Sequence, residues 1–232
     1  MKNVLAFAIC SLSSIAFSYA PRVEELKQEI RKIASENIGN VGAISETRAK
    51  LQPLADELGQ YHSPASAADD IQLLEGAWKQ VFSDDREPQP PGFKTDLDTV
   101  YQVITKDGYF YNLCDLKGFI TVSGILRGEY KPVGDFLNIE FTKVSVKLGG
   151  LSETAELNSF VRDIEAGRVK TIVPPGSNQA PKGPVGARGN IRNIYIDEDF
   201  RVATGQNFAD GKVDLYVLDK VNFPTRYISK SK

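Results

Sequence analysis

The sequence predicts a mainly β chain with N-terminal helices, an α+β arrangement in which an antiparallel barrel follows a helical hairpin. Three observations carry this. The apolar period changes from 3.6 to 2 at Gly76. Two runs rich in Ile, Val and Tyr, residues 191–196 and 213–218, flank a polar segment holding Asp197, Arg201 and Gly205, the pattern of two strands joined by a turn. The first confident strand lies in LLEGAWKQVFSDD, residues 73–85, so pairing it with the last strand closes the sheet into a barrel and encloses a pocket.

The first segment, residues 1–20, reads as a targeting signal: Lys2, an apolar stretch from Val4 to Phe17, then Ser18-Tyr19-Ala20 as a cleavage site. The run is shorter than the roughly 20 apolar residues of a spanning helix and is broken by serines. Removing it also removes Cys10 and leaves Cys114 as the single cysteine, so no internal disulfide can form. A reducing destination suits that composition better than secretion, the alternative. Ala16-Phe17 resembles the junction of two-part presequences that enter complex plastids.

The helical hairpin spans residues 21–62. Val23, Leu26, Ile30 and Ile33 form one amphipathic stripe, with Asn37 to Gly42 as its end. Ile44, Leu51, Leu54 and Leu58 form a second, with Ser45 as candidate N-cap and Pro53 as a kink or true start. Tyr61 to Asp70 is a linker, and the barrel occupies residues 70–221.

Candidate strands are 78–82, 99–105, 109–113, 120–126 and 135–148, with Lys106-Asp107-Gly108 as a hairpin turn. Leu137, Ile139 and Phe141 alternate with polar residues, then the phase slips at Lys143 so that Val144 and Val146 continue one residue late. That slip predicts a bulge. Residues 151–164 read as a helix, with Leu157, Phe160, Val161 and Ile164 on one face. Residues 174–190 are rich in Pro and Gly and read as a loop, a lid over the barrel mouth or an unstructured insertion.

Composition excludes several chemistries. With 28 basic and 30 acidic residues scattered along the chain, no basic face for nucleic acid is evident. His62 is the only histidine and sits in the linker, which starves Ser/His or Cys/His catalysis and a His/Cys metal site alike. Asp197-Glu198-Asp199 lacks the spacing of a cation loop and reads as a solvated turn. Gly183, Gly186 and Gly189 lack the Lys-Ser/Thr of a phosphate loop. No cofactor is expected. Tyr101, Tyr109, Tyr111, Phe119 and Phe141 supply aromatic surface near the sheet.

Gly76-x-Trp78 near the start of the barrel and Arg201 near its end resemble the Trp and Arg that stack to close lipocalin barrels. With the helix pair in front, the order of Leu74, Gly76, Trp78, Phe82 and Ser83, then Tyr195, Asp197, Arg201, Gly205 and Tyr216, resembles the plastid lipid-associated proteins, or fibrillins. The chain departs from that pattern at Thr204, where the family carries a second Arg, and the middle third has no matching motif.

The resemblance implies a lipocalin-like barrel of about eight strands with room for one apolar ligand. It further implies a plastid location at thylakoids or lipid globules and a non-enzymatic role in binding, storing or carrying an isoprenoid quinone, carotenoid or fatty acid. Tyr101, Val103, Tyr111, Leu137, Ile139 and Phe141 are the expected lining, while Gly76, Trp78, Tyr195, Asp197, Arg201 and Gly205 serve closure. Two other readings stay open. One is a scaffold on lipid globules or for an enzyme of lipid synthesis, working through the N-terminal helices; the other is an enzyme on the same barrel, with Asp197 or another buried carboxylate as acid or base.

Overall fold

A computed structural model describes residues 6–36, 41–62, 66–85, 92–151, 157–174 and 184–221. Helix α1 (Ala6–Glu36) and helix α2 (Ile44–Gly59) precede a one-turn helix α3 (Ile71–Leu74) and strand β1 (Gly76–Ser83). Strands β2 (Lys94–Ile104), β3 (Tyr109–Lys117), β4 (Thr121–Val133) and β5 (Phe136–Leu148) follow, then helix α4 (Leu157–Glu165). Strands β6 (Arg188–Ile196), β7 (Phe200–Asn207) and β8 (Val213–Lys220) complete the order. Each strand pairs antiparallel with the next, and β1 pairs with β8 to close the barrel.

The predicted terminal hairpin is a three-stranded meander, because β7 occupies the segment read as a turn. Its inward positions are Arg201, Ala203 and Gly205, an inner face with a charge and small residues that breaks the apolar alternation by which strands are recognised. The bulge at the β5 phase slip is present: Arg127 pairs with Lys143 and Gly128 with Phe141, leaving Thr142 unpaired between them. Pro53 lies inside α2 and does not start it; the helix begins at Ile44 behind Ala43 rather than behind a Ser45 cap. The predicted lid falls largely on residues 175–183, which lie outside the described residues, and its last residues, from Arg188, form β6.

Alternation sorts the barrel wall into two faces. Trp78, Ile104, Phe110, Tyr130, Leu137, Ile139, Ile191, Ile196, Ala203 and Leu218 come from all eight strands and meet in one cluster, which is the barrel interior. Outside, α1 and α2 press Leu26, Ile30, Leu51 and Leu58 onto Phe82, Tyr195, Phe200, Val202, Leu215 and Val217. Each such fully buried aliphatic side chain contributes about 2 kcal/mol. Over another arc of the wall, α4 sets Leu157, Phe160, Val161 and Ile164 on Ala77, Tyr101, Val103, Tyr111, Leu113 and Ile125.

Helix α1 runs unbroken through Pro21, and its described packing begins at Val23. Among the described residues no helix is long and apolar enough to cross a membrane. At the seam, β5 and β6 pair over 137–140 and 188–191, Phe141 goes on to exchange bonds with Gly186 and Ala187, and Val146 further along β5 bonds Ile172.

Candidate functional site

The two ends of the barrel differ in chemistry. At the end where β1 starts, α3 lies across the opening, and the Trp78 indole nitrogen donates to the Leu74 carbonyl at 2.8 Å. The Arg201 guanidinium lies 6.0 Å from the Trp78 ring centroid and the Lys220 ammonium 4.8 Å from it. Lys220 in turn donates to the Leu73 carbonyl at 2.6 Å, tying the last strand to α3. Gly76 makes this corner with φ of 126°, where an L side chain would be strained and a Cβ would come within 3.0 Å of the Lys220 side chain. These residues plug the barrel.

Arg201 is fully buried, and among the described residues no carboxylate pairs with it. Its Nε donates to Asn193 at 2.8 Å and its Nη1 to Gln102 at 3.1 Å; Asn193 passes the polarity on by donating to Asp70 at 2.7 Å. Burial pulls the guanidinium down to about 10, against the opposing pull of Asp70 and Tyr216. Burial also lowers Lys220. His62 approaches Asp70 at 3.4 Å and meets the Tyr195 ring edge-on at 5.9 Å, so the single histidine belongs to this closed end.

The other half of the interior is open. On β3, β4 and β5 the inward residues Asn112, Cys114, Leu116, Gly124, Leu126, Val144 and Val146 are half-buried, whereas their outward neighbours Tyr111, Leu113, Ser123, Ile125 and Ser145 are buried under α4 and adjoining chain. Cross-strand pairing joins Cys114 to Gly124, Asn112 to Leu126, and Gly124 to Val146, so these inward residues form one continuous surface. A Cβ on Gly124 would lie 3.5 Å from the Cys114 sulfur, which fixes the direction in which both face. Opposite them, the Tyr216 ring lies over Gly205, where a Cβ would approach it to 2.8 Å. The lumen is thus a mainly apolar cup with a Trp78–Arg201 floor.

The six residues expected as lining fall into two groups. Leu137, Ile139 and Phe141 are inside, with Phe141 edge-on to Phe110 at 6.4 Å. Tyr101, Val103 and Tyr111 point outward beneath α4. The Tyr111 hydroxyl donates to Glu165 at 2.8 Å, and Arg127 pairs with Glu165 at 3.2 Å while lying 4.1 Å over the Tyr109 ring. Aromatic type alone does not reveal strand phase, and here the phase puts these side chains on the wrong face for a lumen. Sequence reasoning missed Cys114, Leu116, Leu126, Val144 and Val146, although the alternation of Cys114 with buried Leu113 was a usable signal.

Asp197 is a clasp for α1. Its carboxylate accepts from Lys27 at 2.8 Å and from the Tyr195 hydroxyl at 2.8 Å, and it caps the backbone N–H of Asp199 and Phe200. Lys27 also reaches Asp199 at 2.6 Å, and Arg31 joins Asp219 at 2.7 Å. Burial favours the neutral acid, but the bonds from Lys27, the backbone and Tyr195 outweigh it and hold Asp197 well below the usual carboxylate range. A carboxylate so held is a poor general base or acid near neutral pH. Among the described residues no group of three or more His, Cys, Asp or Glu is placed to hold a metal.

Because Asp197 is depressed in the folded chain, its stabilisation is complete above the unfolded value of about 3.9 and is lost as pH falls through the folded value. Asp197→Asn keeps the backbone caps and removes the charge. The variant is expected to lose about 2 kcal/mol at pH 7 in urea unfolding, with the gap to wild type closing as pH drops below about 4.

A second concavity lies outside the barrel, an open groove of about 440 Å³ between α2 and the β7–β8 turn, lined by Ile44, Ser45, Arg48, Ala49, Gln52, Asp84 and Lys212. Arg48 spans it, pairing with Asp84 and donating to the Val213 carbonyl at 2.8 Å.

Eight sequentially ordered antiparallel strands, with Trp and Arg stacked inside one end and half-buried apolar side chains lining the other, define an up-and-down barrel of the lipocalin type. The chain belongs to the plastid lipid-associated protein family: the PAP_fibrillin family model matches residues 24–213. No curated protein sequence matches it. Among solved structures, an uncharacterized protein from Bacteroides eggerthii aligns with 64% of this chain and 99% of its own, at 15% identity and a TM-score of 0.31.

Proposed function

We propose that the open half of the barrel binds one hydrophobic molecule, an isoprenoid quinone, carotenoid or fatty acid, and stores or carries it without chemical change. The observation that carries this reading is the accessible apolar inner surface of Cys114, Leu116, Leu126, Val144 and Val146, set in a chain of a lipid-associated family. An apolar cup is costly to leave hydrated, and burying ligand surface there releases roughly 25 cal/mol per Å². We place this activity in a plastid, at thylakoids or lipid globules, with the N-terminal segment as the targeting signal.

Organic extraction of natively produced protein, followed by mass spectrometry and an absorption spectrum, tests it. A stoichiometric lipid or pigment is the expected result. An empty extract from protein that also takes up none of a panel of these lipids would count against the lumen as a carrier site.

The scaffold reading draws on α1 and α2, but both spend their apolar faces on the barrel wall. Deleting residues 22–60 would strip cover from Phe200, Val202, Leu215 and Val217, so that deletion tests folding before it tests partnership.

A further inference from the structure

The barrel interior holds a cation that no described carboxylate meets. Three buried side-chain polar atoms lack a hydrogen bond among the described residues: Arg127 Nε, Asp214 Oδ1 and Arg201 Nη2. Two of them still sit in ion pairs, Arg127 with Glu165 at 3.2 Å and Asp214 with Lys212. Of the three, Arg201 alone has neither: its Nη2 carries N–H donors without an acceptor, and Asp70 reaches it only through Asn193. A buried charged donor left unpaired is costly, so its presence calls for an acceptor.

The geometry says where that acceptor belongs. Arg201 is on β7, yet its Nη1 reaches Gln102 on β2, with β8 and β1 lying between those strands in the wall. The guanidinium therefore crosses the interior, and Nη2, bonded to the same carbon as Nη1, lies there with it. Gln102 spends its carbonyl oxygen on Arg201, and its amide nitrogen donates to no described residue. Asn112, the cross-strand partner of Gln102, and Gln80, that of Leu218, face the same lumen half-buried, and neither side chain has a hydrogen-bond partner among the described residues. From Asn112 the next inward residue toward the β3–β4 turn is Cys114, so this polar belt separates the Trp78 floor from the apolar surface. Described charges at the open end are largely paired among themselves, Asp96 with Lys117, Asp214 with Lys212 and Asp84 with Arg48, so selection by charge falls to Arg201.

We infer that the lumen takes its ligand head-first as a monocarboxylate: the carboxylate lies against Arg201 Nη2, with the Gln102 and Asn112 amides as further donors, and the apolar tail runs along Cys114, Leu126, Val144 and Val146. This rests on the proposed lumen and narrows its cargo to a fatty-acid-like chain, because a neutral quinone or carotenoid offers the buried cation no countercharge.

The test compares dodecanoate with methyl dodecanoate and dodecanol on delipidated wild-type protein. Emission of Trp78, the only Trp and a neighbour of Arg201, reads the head, and protection of Cys114 from iodoacetamide reads the tail. Dodecanoate is expected to shift Trp78 emission, to protect Cys114 and to bind roughly tenfold or more tighter than either neutral analogue, the worth of one charge-assisted hydrogen bond. Its carboxyl carbon, followed by NMR, should stay ionised to lower pH when bound than when free, because the guanidinium stabilises the carboxylate. Arg201→Met, which fills similar space without the charge, should bind the acid and its ester alike. The ester comparison is made on wild type, so it decides the matter even where that variant fails to fold.

Equal affinity for acid and ester with both protecting Cys114, or a bound carboxyl that titrates as the free acid does, would overturn the head site, leave Nη2 to a water and keep the lumen. Protection of Cys114 by neither would end the lumen reading and this site together. Tight dodecanoate binding that moves neither Trp78 nor Cys114 would put the acid elsewhere on the protein and overturn the head site.

Discussion

Trp78→Ala is expected to cost about 4 kcal/mol, read as a fall in the urea midpoint followed by circular dichroism. The magnitude follows from what the ring touches. Trp78 is fully buried among Leu74, Ile104 and Leu218, the cavity left by the indole opens at the plug of the barrel, and the Leu74 carbonyl loses its donor. Two cations lose the same ring. Arg201 is fully buried and Lys220 half-buried, and among the described residues neither has a carboxylate in contact, so removing the aromatic face raises the cost of keeping them charged, most of all for Arg201. The closed end also joins β1 to β8, and its failure loosens the strand pair on which closure depends. A loss below about 1 kcal/mol would show that α3 and the interior cluster close the barrel without the stack.

Leu126→Glu is expected to abolish binding of the hydrophobic ligand, with affinity down roughly hundredfold or more, while the protein stays folded. Leu126 faces the lumen between Asn112 and Val144 and is only half-buried, so the new carboxylate remains hydrated in the empty barrel. A ligand filling the cup would have to strip that hydration, which is the source of the penalty. Ile139→Glu is a poorer probe: Ile139 is 5% exposed in the packed half and touches the Gly128 position, so the charge attacks the fold before any ligand. Cys114 supplies an independent readout, since its sulfur shares the inner surface with Leu126. Saturating lipid should slow its alkylation in wild type and leave it unchanged in Leu126→Glu. A folded Leu126→Glu protein that binds lipid as wild type does would remove this surface from the site.

The two predictions draw on opposite halves of one barrel. A stacked floor gives the strands a fixed closure at one end, while the inward side chains of the far half are only half-buried. The α1 clasp through Lys27 and Asp197 and the α4 cover over Tyr101 and Val103 stiffen the wall from outside, where neither obstructs the lumen.

Local pattern alone determined much of this protein. Amphipathic stripes fixed α1 and α2, since each apolar stripe must be buried against something. Strict alternation in β5 set its inner face, and the slip at Lys143 foretold the bulge at Thr142. Gly76, Trp78 and Arg201 could be singled out from residue type and order alone, and the structure brings them together at the end where β1 starts. Tertiary structure decided the rest. Strand β7 was hidden because its inward residues answer to partners far away in the chain, Arg201 to Gln102 and Gly205 to the Tyr216 ring. Tyr101, Val103 and Tyr111 were misassigned to the lumen because apolar residues on both faces of β2 and β3 look alike until α4 covers one face. Which face of a two-sided apolar strand meets a ligand is set by what packs on the other, and that is a property of the assembled fold.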